Sequence, residues 1–188
     1  MLKLLKNSRS RLLGSAATGF IAVLALGGTG GAVTSPDFTY SSTKTGFFTI
    51  HPMAMAPDSH IGQYGIEYAD AKLTDKGSDS CYSTGVNLPH GSRITQLIIW
   101  YSSPATTNSD PRPYLRRVSV VNGSSTALVN EGFIVDDTDT RKMAVLPIIG
   151  GPSLVSNAGF AYGFGICPGA GGSFLGARIA YTYNSAGD

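Results

Sequence analysis

Residues 81–101 read CYSTGVNLPHGSRITQLIIWY, and no other stretch restricts the fold as tightly. Alternation from Ser80 to Leu88 places Tyr82, Thr84, Val86 and Leu88 on one face and Cys81, Ser83, Gly85 and Asn87 on the other. That is the period of a half-buried strand. Pro89-His90-Gly91 is turn chemistry, with a glycine free to take positive φ. From Arg93 to Ser102 the chain is apolar on both faces, with Ile94, Ile98 and Trp100 against Leu97, Ile99 and Tyr101. A short segment of this kind suits an interior strand covered on two sides. The stretch therefore predicts two strands that reverse at a tight turn, the second central to its sheet.

The rest of the chain repeats the pattern. Strands are expected over Gly46–His51, Gly65–Thr74, Tyr114–Val121, Thr126–Val129, Gly132–Val135, Arg141–Ile149, Phe160–Cys167 and Ser173–Tyr183. Asn122-Gly123 is a strong reverse-turn signal, and Ser103–Pro113, with three prolines, reads as a surface loop. Along Phe160–Cys167, Ala161, Gly163, Gly165 and Cys167 share one face. Such a row of small residues predicts close approach by a neighbouring group. With many short strands and no long helical period, the fold class is all-β: a two-layer antiparallel β-sandwich of jelly-roll-like form.

The first 32 residues are of a different kind. Lys3, Lys6, Arg9 and Arg11 precede an apolar run, Leu12–Leu26, and small residues lead to Ala32. A basic start, a short apolar core and a small-x-small exit describe a secretory signal peptide, with cleavage expected after Ala32. The run is shorter than the roughly 20 residues of a spanning helix, so any membrane contact is expected only through an uncleaved leader. Residues 33–45 read as a polar lead-in and 46–188 as a single sandwich domain. Four of the fourteen basic residues lie in the leader, leaving ten against twelve acids, a formal charge of −2. The mature part thus offers no net electrostatic attraction for nucleic acid.

Export sets the reading of the two cysteines. A pair of thiols in an oxidising compartment predicts one disulfide, Cys81–Cys167. Closing so long a loop contributes about 4 kcal/mol in the chain-entropy model.

Three patches carry a resemblance: Val86–Thr95 (VNLPHGSRIT), Phe160–Cys167 (FAYGFGIC) and Leu175–Tyr183 (LGARIAYTY). Their order resembles a group of bacterial exported β-sandwich proteins with no assigned activity. The resemblance implies fold and export, and brings no catalytic residue with it.

Chemistry-bearing residues are sparse. His51, His60 and His90 have no partner at metal-binding spacing. Asp136-Asp137-Thr138-Asp139 supplies oxygens for Ca²⁺ but lacks the ladder of an EF-hand, and reads first as a solvated loop. Glu67 and Glu131 are the only glutamates, with nothing in the sequence to bring them together. No G-x-S-x-G occurs. No catalytic, cofactor or metal residue is therefore assigned. The aromatics Trp100, Tyr101, Tyr114, Tyr162, Tyr181 and Tyr183 are read mainly as core, with Tyr114, beside the proline-rich loop, as the exposed one. The expected function is an exported, non-catalytic binding or structural module whose partner is a glycan or a protein at the cell surface. The alternatives are a secreted hydrolase and a self-assembling surface protein, a homo-oligomer joined through flat strand faces.

Overall fold

A computed structural model describes residues 39–58, 64–67, 72–75, 80–103, 110–132, 134 and 141–185, and of β3 and Asp75 the backbone only. The predicted leader, His60 and the Asp136–Asp139 run lie outside the described residues. The chain divides into Met1–Gly31 and Ala32–Asp188, and every described residue belongs to the second unit.

Among the described residues eleven strands and one 3-10 turn follow one another: β1 (Thr39–Ile50), the turn Pro52–Ala54, β2 (Ala56–Pro57), β3 (Tyr64–Glu67), β4 (Lys72–Asp75), β5 (Tyr82–Val86), β6 (Arg93–Ser102), β7 (Arg112–Ser119), β8 (Ser125–Ala127), β9 (Arg141–Pro147), β10 (Phe160–Cys167) and β11 (Ser173–Ser185). They form two antiparallel sheets. One runs β3-β4-β11-β6-β9, with β1 also on β11; the other runs β2-β5-β10-β7-β8. From β5 to β7, and again from β8 to β11, the chain crosses between layers at each connection, as a jelly-roll-like sandwich does. The fold class is the one the alternation predicts.

Several strand ends shift by about two residues, β7 starting at Arg112 inside the expected proline-rich loop and β8 covering Ser125–Ala127, and three differences are larger. The lead-in is not all lead-in: Thr39–Thr45 belongs to β1, where Lys44 pairs with Tyr183 and Thr45 with Thr182. Its polar side chains face solvent, so backbone pairing rather than apolar burial extends the strand. Gly65–Thr74 is not one strand but parts of β3 and β4, which pair with each other. Gly132 and Ile134 lie outside any strand. Asn130 Oδ1 accepts from the Gly132 amide at 3.2 Å, an Asx turn that competes with extension.

The core lies between the sheets. Leu97, Ile99, Tyr101, Phe174 and Ile179 of the six-stranded sheet meet Tyr82, Leu115, Phe164 and Ile166 of the five-stranded one. The Phe164 and Phe174 rings stand 5.7 Å apart across the interface. The buried Tyr82 hydroxyl donates to the Thr74 carbonyl at 2.9 Å, so its polar atom is satisfied inside the apolar layer. Each fully buried large side chain contributes about 1.5–3 kcal/mol over its exposed state.

Two bulges decide which residues face out. Between β11 and β6 the register shifts once at Phe174/Gly176 and again at Ala180/Tyr181. Leu175 is the extra residue on β11, and Thr95 the extra residue on β6. Strict alternation groups Ile94 with Ile98 and Trp100. The bulge at Thr95 instead turns Ile94 into the core beside Leu97, while Ile98 and Trp100 face outward. On β11 the same device buries Phe174 and leaves Leu175 on the outer side.

The disulfide joins Cys81 to Cys167, 86 positions apart, with Sγ atoms at 1.96 Å. It continues the β5–β10 pairing one step past Tyr82–Ile166.

Candidate functional site

The outer face of the five-stranded sheet follows from β10. Tyr162, Phe164 and Ile166 fill the core, so Gly163 and Gly165 face away from it. Gly165 pairs with Tyr114 on β7, and Gly163 with Arg116. The Tyr114 ring lies over Gly165 in the space that a Cβ would take. The close approach that the small-residue row predicts is thus made by an aromatic side chain. On the other flank Gly163 pairs with Gly85 of β5, and among the described residues no atom lies near the Gly85 Cβ position. The middle of the sheet is a low floor, and β7 raises one wall.

A cleft of about 380 Å³ opens at this wall, lined by Asp58, Arg112, Tyr114, Arg116, Glu131 and the Cys81–Cys167 disulfide. Its size falls within the range of small-molecule sites. The Tyr114 hydroxyl donates to Asp58 Oδ2 at 2.8 Å. Arg116 grips Glu131 with two parallel bonds, Nε to Oε1 at 2.6 Å and Nη2 to Oε2, the fork geometry of a guanidinium–carboxylate pair. Its guanidinium carbon stands 6.0 Å from the Tyr114 ring centroid. Arg112 Nη2 approaches Cys167 Sγ at 3.7 Å.

These contacts set the electrostatics. Burial, and then the Asp58 carboxylate that accepts its hydrogen bond, hold Tyr114 neutral well above the usual phenol range, with Arg116 opposing in part. Glu131 makes Arg116 more firmly cationic than usual. The cleft thus presents an aromatic plane, an uncharged hydroxyl, two carboxylates and two guanidiniums within one recess.

Glu131 reaches this cleft although no sequence signal placed it there; the side chain of Glu67 lies outside the described residues. The two described histidines stand elsewhere, each with Nδ1 accepting a backbone amide: His51 from Met53 at 3.2 Å and His90 from Asn157 at 3.1 Å. Among the described residues no three His, Cys, Asp or Glu side chains gather as a metal site. Of the six aromatics, Tyr101 and Tyr162 are core, whereas Tyr114 and Trp100 line outward-facing recesses. The Tyr181 ring packs over Gly46 and, 5.8 Å away, beside Tyr183. Trp100 is a correction to the core reading: β6 is apolar on both faces, but only the face of Leu97, Ile99 and Tyr101 is buried against the core. Asp58 and Arg116 were missed: their partners lie 56 and 15 positions away, and only the strand register unites them.

No protein-family model and no curated protein matches the chain. Among solved structures it is similar to a family two carbohydrate esterase from Cellvibrio japonicus, at 11% identity and a TM-score of 0.37 over 77% of this chain. The chain spans 36% of that esterase. It is also similar to the C-terminal CBM6 of LamC, a marine laminarinase from Zobellia galactanivorans, at 11% identity and a TM-score of 0.36, covering 71% of this chain and 98% of that one. A third is TmCBM61 in complex with β-1,4-galactotriose, at 13% identity and a TM-score of 0.29, covering 81% and 94%. At these scores the likenesses carry no argument about ligand or activity, and the site rests on its own geometry.

Proposed function

We propose that the protein is an exported, non-catalytic binding module of the bacterial β-sandwich group named above, and that its Tyr114 cleft holds a sugar ring. The observation that carries the reading is the aromatic plane of Tyr114, seated on Gly165 and ringed by Asp58, Arg112, Arg116 and Glu131. A pyranose offers apolar C–H faces and a rim of hydroxyls. An aromatic ring meets the first, and carboxylate and guanidinium groups meet the second. The Cys81–Cys167 disulfide supports export, since such bonds persist in oxidising compartments.

A hydrolytic reading has one observation in its favour: Asp58 and Glu131 line the same cleft. Both are already engaged, Asp58 by the Tyr114 hydroxyl and Glu131 by Arg116. Glycoside hydrolysis needs one carboxyl that donates a proton and another that activates water or attacks. A pair spent on fixed partners fits recognition better.

The test is migration of the full chain through native gels containing neutral polysaccharides, followed by oligosaccharide titration. Retardation by at least one glycan is expected, with Tyr114→Ala weakening it by about tenfold or more. Retardation unchanged in Tyr114→Ala, or sustained release of reducing ends that Glu131→Gln abolishes, would overturn the reading.

A further inference from the structure

The outer face of the six-stranded sheet has a different chemistry. At the outward positions of β1, β11, β6 and β9 the charged residues are Arg93, Arg141 and Arg178, and none is an aspartate or glutamate. The register lays their outward residues in rows. Phe47 stands level with Ala180, Gln96 and Pro147; Thr49 with Arg178, Ile98 and Val145; Gly176 with Trp100 and Met143. Phe47, Met143 and Val145 are 52%, 58% and 48% exposed.

Arg178 lies at the centre. Its guanidinium carbon sits over the Phe47 ring at 5.2 Å and over the Trp100 ring at 5.6 Å. Its Nε is buried and has no hydrogen-bond partner among the described residues. Beside Trp100 the sheet is notched: the position across from it is Gly176, and Leu175 bulges alongside. The recess holds about 430 Å³ and is lined by Trp100, Leu175, Met143, Arg141 and Lys142.

We infer that this face is a second binding surface, for a carboxylate-bearing polysaccharide. A uronate unit seats its ring against Trp100 and Met143 with its carboxylate toward Arg178, and Arg141, at the far end of the recess, attracts the carboxylate of a neighbouring unit. A guanidinium held between aromatic rings, with no carboxylate partner among the described residues, matches a planar carboxylate. Other occupants fit less well. A second copy of the chain, docked face to face, would set three arginines against three. A bilayer is flat and does not enter the recess where Trp100 lies. The surface is separate from the Tyr114 cleft, so either stands without the other.

Trp100 is the only tryptophan, so its fluorescence reports this face alone. Titrating the full chain with polygalacturonate should shift that emission saturably, and less so as salt rises. The same polymer fully methyl-esterified keeps the rings and loses the charge; it should bind about tenfold more weakly or worse. Arg178→Gln should weaken polygalacturonate to a similar degree, and Arg141→Gln, on an exposed edge strand and harmless to folding, by a smaller factor. Tyr114→Ala should leave it unchanged. The inference is overturned if polygalacturonate leaves Trp100 emission unmoved, or if the methyl ester binds equally. It is also overturned if only anionic vesicles or duplex DNA produce the shift, or if sedimentation shows a dimer through this face that Arg178→Gln dissolves.

Discussion

The outer faces of the two sheets are built from similar residue types and reach opposite electrostatic states. On the five-stranded sheet the charges near the cleft are matched: Arg116 with Glu131, and Asp58 with the Tyr114 hydroxyl. On the six-stranded sheet the central strands hold cations only, and Arg178 has aromatic rings where a carboxylate would otherwise be. The matched face is shaped by what is missing, since the glycines of β10 lower the floor. The unmatched face is shaped by what is extra, since one bulge leaves Leu175 outside beside Trp100 and the other turns Ile94 in. Pairing fixes a site's geometry in advance, while an unpaired cation leaves attraction for an incoming anion.

The hardest blow to that comparison is to remove what both faces share. Phe164 is fully buried and meets Phe174 across the layers. Phe164→Ala should cost about 3–5 kcal/mol in denaturant unfolding and weaken both surfaces together. A loss confined to the Tyr114 cleft would mean that the sheets are less coupled than their common core implies.

Breaking the disulfide should separate the faces. The Cys81→Ala, Cys167→Ala double variant should lose about 2–4 kcal/mol, read from the midpoint of chemical unfolding. Because the bond walls one cleft and no part of the other, the variant, once folded, should bind worse at Tyr114 and as before at Trp100. Equal weakening at both would place its influence on the whole sandwich.

The finest test is pH. The folded state holds the Tyr114 phenol neutral above its ordinary range, so its contribution is complete below the unfolded phenol value, near 10. It is lost as pH rises from there toward the folded value, because the unfolded chain ionises first. Stability of the native protein should therefore fall faster above pH about 10 than that of Tyr114→Phe, and the two should run parallel below it. Parallel curves throughout would show the Asp58 contact to be loose in solution. On the opposite face the rings beside Arg178 are those of Phe47 and Trp100, which carry no titrating group.

Much of this architecture is legible from residue order, and the failures have physical causes. The bounds of β6 and β10 agree with their apolar spacing, because interior strands are held on both sides and carry the sharpest pattern. The turn at Asn122-Gly123 forms with Gly123 at φ 71°, and Ser124 N donates to Asn122 Oδ1 at 3.0 Å. Tyr114 is legible as an outward aromatic from its place beside the proline-rich loop. What alternation misses is any event that changes its phase. A bulge is a backbone irregularity with no compositional mark, so Ile94 is grouped with the wrong face, while Trp100 is read as core because the apolar outer face of β6 looks like a covered one. The pairing of Arg116 with Glu131 is hidden for another reason: it depends on how the chain returns after β8, which is set by tertiary packing.

The two bulges also bear on how the gene can change length. Ser173 pairs with Ser102 before the first, and Thr182 with Arg93 after the second; between them the partners are offset by one, so the two irregularities cancel. Thr95, whose hydroxyl donates to the Ala180 carbonyl at 3.1 Å, and Leu175 are positions the ladder steps around. Losing either codon would shorten a strand while leaving its neighbours on their present sides, whereas a single-codon loss elsewhere in that span would invert everything up to the next irregularity. Insertions and deletions are usually confined to loops; here two of the tolerant positions lie in the interior of a sheet.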